Sequence, residues 1–154
     1  MNYKRFLIFV LFALSVSVNA ITKEIVMNDT TSSIALLKQL MKKFVDDRQW
    51  NQFHTPKNLS TKIAIEAAEL MELFTWCEGP ESHEILTKQR QDVEDELADI
   101  FMTIIAFANA CNIDLSRAFE HKLAIIAQRY PVEQCKGKSD KYTAYTGNNE
   151  EKNK

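Results

Sequence analysis

From His83 to Asn112 the chain runs for thirty residues, "HEILTKQRQDVEDELADIFMTIIAFANACN", without a glycine or a proline. Neither of the residues that interrupt a helical hydrogen-bond ladder is present, so the stretch reads as helix, acidic in its first half and apolar in its second. The same scarcity holds throughout: 154 residues contain only three Gly and three Pro. Long helices joined by few tight turns follow, and the expected fold class is all-α, a four-helix-type bundle.

The remaining helices are placed by periodicity and caps. "SIALLKQLMKKFVDDRQW" sets Ile34, Leu37, Leu40, Met41 and Phe44 at helical spacing. "NQFHTPKNLS" breaks that pattern, and a second helix is expected from Ser60 or Thr61 to about Cys77, closed by Gly79 and Pro80. Ser82 opens the third, with room for a short helix ahead of it. Asp114 caps a fourth that stops before Pro131. No segment repeats at a fixed period.

The second helix poses a chemical problem. "KIAIEAAELMELFTW" is strongly apolar, yet Glu66, Glu69 and Glu72 recur at every third position. At about 100° per residue, Glu66 and Glu69 share a stripe with Leu70 and Leu73, whereas Glu72 falls on a flank. Ala64, Ala68, Met71 and Thr75 make the opposite side nonpolar too, so this helix is expected to be buried nearly all round. The third helix repeats the arrangement, with Asp92, Glu96, Asp99 and Thr103 on one stripe. Packed side by side, the two helices would bring Glu66, Glu69, Glu96 and Asp99 together. A buried carboxylate must find a counter-ion, a metal or a proton. Hard divalent cations meet that need, and Mg²⁺, which takes oxygen ligands and shares them with phosphates, fits best. Most Glu pairs at this spacing are solvated helix faces; two pairs on two apolar helices are far less ordinary.

Other features narrow the possible partners. A net charge of −2 and a pI near 5.9 argue against a polymer nucleic-acid surface, which needs clustered basic residues. Cys77, Cys111 and Cys135 form no CxxC pair and suggest neither a disulfide framework nor a zinc knuckle. Reducing surroundings suit them. Residues 1–20, "MNYKRFLIFVLFALSVSVNA", have the basic start, apolar run and small residues of a secretory signal cleaved after Ala20. They are too short, and too directly followed by polar residues, for a stable membrane span. Translation from Met27 would instead give a complete domain without them. The expected organisation is a leader or untranslated extension over 1–26, a domain over 27–143 and a disordered tail over 144–154. A start at Met27 implies the cytoplasm; a functional leader implies secretion or the periplasm.

ExxE on one helix and ExxD on the next, here "EAAE" at 66–69 and "ELAD" at 96–99, resembles the MazG-like all-α nucleoside triphosphate pyrophosphatases. The segments "RQWNQFHTPKNL", "ELMELFTW", "DELADI" and "KYT" resemble its dCTP pyrophosphatase branch, in the same order. The resemblance implies Mg²⁺-dependent hydrolysis of a (deoxy)nucleoside triphosphate, dCTP or a modified dCTP first among them, to the monophosphate and pyrophosphate. It implies that Glu66, Glu69, Glu96 and Asp99 hold the metal and do the catalysis. Trp50, His54 and Trp76 would lie near base and sugar, and Lys122 near the phosphates. Two positions depart from the branch: Thr103 stands where a tyrosine is usual, and Ile126 where an asparagine is. The doublet "EE" of other MazG-like proteins is also absent, since Ile65 precedes Glu66. Apolar sides that four helices leave uncovered imply a homo-oligomer, a dimer or a tetramer. The alternative is a non-catalytic nucleotide-binding or helical assembly module whose acids neutralise a partner's lysines.

Overall fold

The structure is a computed structural model and describes residues 27–146. The leader expected over 1–26 and residues 147–154 of the tail expected over 144–154 lie outside the described residues, whereas 144–146 belong to a helical turn. The chain divides into two compact units, the first ending at Leu36 and the second beginning at Leu37. In the first, the Asn28 side-chain oxygen accepts from the backbone N–H of Thr30 and Thr31, at 3.0 and 3.1 Å. The Ser33 hydroxyl accepts from Leu36 N–H at 3.1 Å, an N-cap for helix α1, Ile34–Asp47.

Lys42–Asp46 and Lys43–Asp47 pair along the exposed side of α1, and Val45 is its buried residue. Past Asp47 the chain turns at Gln49, which takes a left-handed conformation (φ 56°), and a 3₁₀ turn follows over Trp50–Phe53. Helix α2 is Pro56–Glu72. It begins earlier than the Ser60 or Thr61 start expected, because Thr55 accepts from Asn58 N–H at 3.2 Å and Pro56 takes a first-turn position whose N–H would be unpaired anyway. The Ser60 and Thr61 hydroxyls donate to the Lys57 carbonyl instead of capping. Regular α2 also stops short of Cys77: Phe74, Thr75 and Cys77 make tighter i→i−3 bonds. Gly79 and Pro80 open a second 3₁₀ turn, Gly79–Glu81, in which Glu78 N–H donates to the Glu81 carboxylate at 3.0 Å.

The breaker-free stretch forms two helices, α3 (Ser82–Lys88) and α4 (Arg90–Ala110), interrupted at Gln89 (φ −122°, ψ 36°). Thr87 to Asp92 contains no apolar side chain, so an unbroken helix would gain no burial there. At its far end α4 closes on Asn112 (φ 52°), with Ile113 N–H bonded to the Ala108 carbonyl at 2.8 Å and Asn112 N–H to Asn109 at 3.3 Å. This is a left-handed helix stop with asparagine in the place glycine usually holds. Asp114 then caps α5, Leu115–Arg129, by accepting from Arg117 N–H at 3.0 Å. Short helical turns at Val132–Cys135 (α6) and Thr143–Thr146 (α7) complete the described chain. Tyr145 is buried, its ring 6.1 Å from that of Tyr130.

The described residues are helical with no strand, as expected of an all-α chain. The most extensive helix contact joins α2 to α4. On α2 a buried or half-buried stripe runs through Leu59, Ile63, Glu66, Leu70 and Leu73; on α4 one runs through Val93, Glu96, Ile100, Thr103 and Phe107. Each follows the alternating three- and four-residue spacing of a packed helix stripe. Acids therefore occupy core positions of both helices. The opposite side of α2, by contrast, is exposed at Ala64, Ala68, Met71 and Thr75, so the expectation of all-round burial does not hold within one chain. Among the described residues no single helix is long and apolar enough to cross a membrane.

Candidate active site

Where α2 meets α4, one carboxylate oxygen from each of Glu66, Glu96 and Asp99 lies within 4.8 Å of the others. Glu66 is only 3% exposed, Glu96 is half-buried and Asp99 is exposed, so the group opens from the helix seam towards solvent. Each is there for a reason in the sequence. Glu66 and Glu96 take stripe positions, and Asp99, three residues on from Glu96, stands beside it one turn later. The Thr103 hydroxyl, buried below, donates to the Asp99 carbonyl at 2.8 Å.

Charge at the seam is only partly compensated. The Lys62 ammonium, one turn before Glu66 on α2, forms an ion pair with Glu66 Oε1. Burial by itself would push the Glu66 carboxyl up, but the bonds from Lys62 and Glu69, with the Lys62 charge, outweigh it and hold the group below its ordinary value. Glu69 is exposed and sits outside the three-oxygen group. Its hydrogen bond to Glu66, with some burial and the Glu66 charge, pushes its carboxyl above the ordinary range, so Glu69 keeps a proton more readily than its neighbour. The bond to Glu66 is likewise the chief cause that raises the Lys62 ammonium. Glu96 Oε2 is buried and has no hydrogen-bond partner among the described residues. A buried carboxylate oxygen without a donor is costly, and a set of three carboxylates suits a hard divalent cation that would occupy such a lone pair. The residues present thus fit a metal ion, with Glu69 at its edge.

His54 is half-buried and lines a cavity of about 410 Å³ with Lys38, Lys42, Asn51 and Asn109. Trp50 is exposed, its ring edge-on to Phe44 at 5.8 Å and near the Arg48 guanidinium. Trp76, 95% exposed, borders a different cavity with Cys77, Glu81 and Lys88. Lys122 is exposed on α5, and Ile126, on the same helix, is also exposed. His54 and Trp76 thus line different cavities. Two contributors escaped the sequence reading. Lys62 could have been found from its place four residues before Glu66. Asn109, whose side chain donates to the Lys38 carbonyl at 2.9 Å, gives no such signal.

A crystal structure of a pyrophosphatase from Archaeoglobus fulgidus superimposes with a TM-score of 0.63 at 31% identity, covering 68% of this chain and 98% of that one. Proteins described as dCTP pyrophosphatase 1 are 37% identical in Rattus norvegicus and 34% in Homo sapiens, over 111 residues. The match takes in 70% of this chain and spans 64% of the length of those relatives. A model of the MazG-like family matches residues 61–144, more than half of the chain and both acidic helices, and the chain belongs to that family.

Proposed function

We propose that this protein hydrolyses a (deoxy)nucleoside triphosphate, dCTP or a modified dCTP in preference to others, to the monophosphate and pyrophosphate. The observation that carries the reading is the oxygen triad of Glu66, Glu96 and Asp99, with Glu96 Oε2 buried and unpartnered. Relatives described as dCTP pyrophosphatases support the nucleotide preference. Glu66, Glu96 and Asp99 would hold Mg²⁺, with Glu69 completing the acidic set. When bound, the ion neutralises charge on the polyphosphate and makes a water more acidic. Glu69, outside the triad and with its proton affinity raised by Glu66, would be the acid to accept a proton from the attacking water. His54 and Trp50 on the segment between α1 and α2, Trp76 beyond α2, and Lys122 on α5 would meet base, sugar and phosphates.

Assembly belongs to the same reading. All residues of α5 lie outside the buried set, and Phe119, Leu123, Ile126 and Val132 present large apolar side chains to solvent, as does Met71 on α2. A homo-oligomer would cover these surfaces, and could bring Trp76 of one chain to the site of another.

The test is direct. The purified protein with Mg²⁺ and each of the four dNTPs should release pyrophosphate and the matching monophosphate, fastest from dCTP. Folded protein that releases none from any of them refutes the proposal.

A further inference from the structure

One cation already stands at the acidic seam. Lys62 reaches Glu66, the most buried of the carboxylates, from the preceding turn of the same helix, and lies in the field of Glu69 and Asp99 as well. Its side chain is 54% exposed along its length, whereas that of Glu66 is 4% exposed. The ammonium thus enters from solvent and can withdraw by rotating its flexible stem, with no change in the backbone. Glu66 Oε1, the atom it holds, belongs to a residue of the oxygen triad. An ammonium and a divalent cation cannot share that neighbourhood without repulsion, so each must weaken the other's hold.

We propose that Lys62 is an exchangeable internal counter-ion: it neutralises Glu66 while the acidic site lacks a metal and is expelled when a divalent cation enters. This inference rests on the metal reading of the site above. Lys62 is a positioning residue in this scheme. It keeps Glu66, Glu96 and Asp99 from driving the α2–α4 seam apart, and it sets how tightly the free protein binds metal. Glu66 oxygens that would repel Glu69, Glu96 and Asp99 have a partner in either state, first Lys62 and then the ion. The i, i+4 spacing makes the exchange local, because both groups are anchored on adjacent turns of one helix.

The experiment is a titration of the full chain with Mn²⁺, free ion being counted by electron paramagnetic resonance, in wild type, Lys62→Met, Lys62→Gln and Lys62→Arg. Both neutral variants should bind Mn²⁺ at least about tenfold tighter than wild type, a difference of about 1.4 kcal/mol, because no ammonium has to be displaced. Lys62→Arg should return affinity to within a few-fold of wild type. In EDTA the neutral variants should melt below wild type, and saturating Mn²⁺ should close that gap. A merely structural lysine would lower the melting temperature equally with and without the ion. Unchanged or weaker Mn²⁺ binding by both neutral variants, while wild type binds well, overturns the counter-ion role and leaves the metal reading standing. A folded wild-type protein that binds no Mn²⁺ overturns both.

Discussion

Replacing Glu66 by Gln tests the centre of the site with almost no change in shape. Without metal, the variant loses the charge attraction to Lys62. The Lys62 side chain is more than half exposed, so water screens the pair and the loss is about 0.5–1 kcal/mol. For a chain of 154 residues that lowers the melting temperature in EDTA by roughly 1–4 °C. With metal the effect is larger. One of three oxygens of the triad becomes an amide, and Mg²⁺ affinity should fall by at least the roughly 10–100-fold that even an outer partner of a metal ligand is worth. If the weakened ion forfeits about 3 kcal/mol of transition-state stabilisation, turnover drops roughly 150-fold. The assay pairs pyrophosphate release from dCTP with circular-dichroism melts in EDTA and in Mg²⁺. Wild type should gain stability on adding Mg²⁺, because a ligand of the folded state must raise it, and Glu66→Gln should gain far less. Turnover within about threefold of wild type, together with an undiminished Mg²⁺ gain, would place Glu66 outside the metal site.

The neighbouring acids carry distinct expectations. The raised proton affinity of Glu69 means that, in metal-free protein, its contribution to stability is present below its ordinary value of 4.5 and is lost as pH climbs through the raised folded value. Glu66 works in the opposite sense: its contribution is present above 4.5 and is lost as pH falls through its lowered folded value. Glu69→Gln should therefore flatten the pH dependence of melting in EDTA above pH 4.5, and an unchanged profile would exclude the raised proton affinity of Glu69. Asp99→Asn should abolish measurable dCTP turnover with helicity retained; full activity by the pyrophosphate assay would remove it from the site. Asp114→Ala, which leaves Arg117 N–H without its cap, should cost about 1 kcal/mol in urea unfolding and should not change Mg²⁺ affinity. Thr103→Tyr, inserting a ring at a buried position, should cost about 1–3 kcal/mol by the same measurement, and stability equal to wild type would show that the seam has room for it.

Much of the architecture follows from local chemistry. Asp114 and Ser33 cap as their side chains require, and α5 ends before Pro131 because the residue ahead of a proline resists helical geometry. The pairing of ExxE with ExxD was legible because apolar helices with acids on the packing stripe need a partner helix of the same kind. Pro56 misled for a local reason too: a proline reads as a breaker until Thr55 is seen to cap the turn that it begins. The short helix ahead of the third, allowed for in the sequence, is set off at Gln89 by no breaker but by the want of apolar side chains from Thr87 to Asp92, since a helix can fail for want of burial too.

Glu66 and Glu69 show most plainly where sequence stops. Both carry the same side chain and share one stripe of α2, and helical geometry alone treats them alike. Sequence determined that the chain would be helical, that its acids would face a second acidic helix, and that something positive had to meet them. Only the tertiary structure buried Glu66, exposed Glu69, brought Asp99 to the mouth and left Glu96 Oε2 without a donor. The reason is that burial is set by how two helices cross. A carboxylate at the seam loses water and must keep a counter-charge, while one at the edge can keep its proton. That distinction makes one acid a candidate ligand and the other a candidate base, with Lys62 between the helix and the ion.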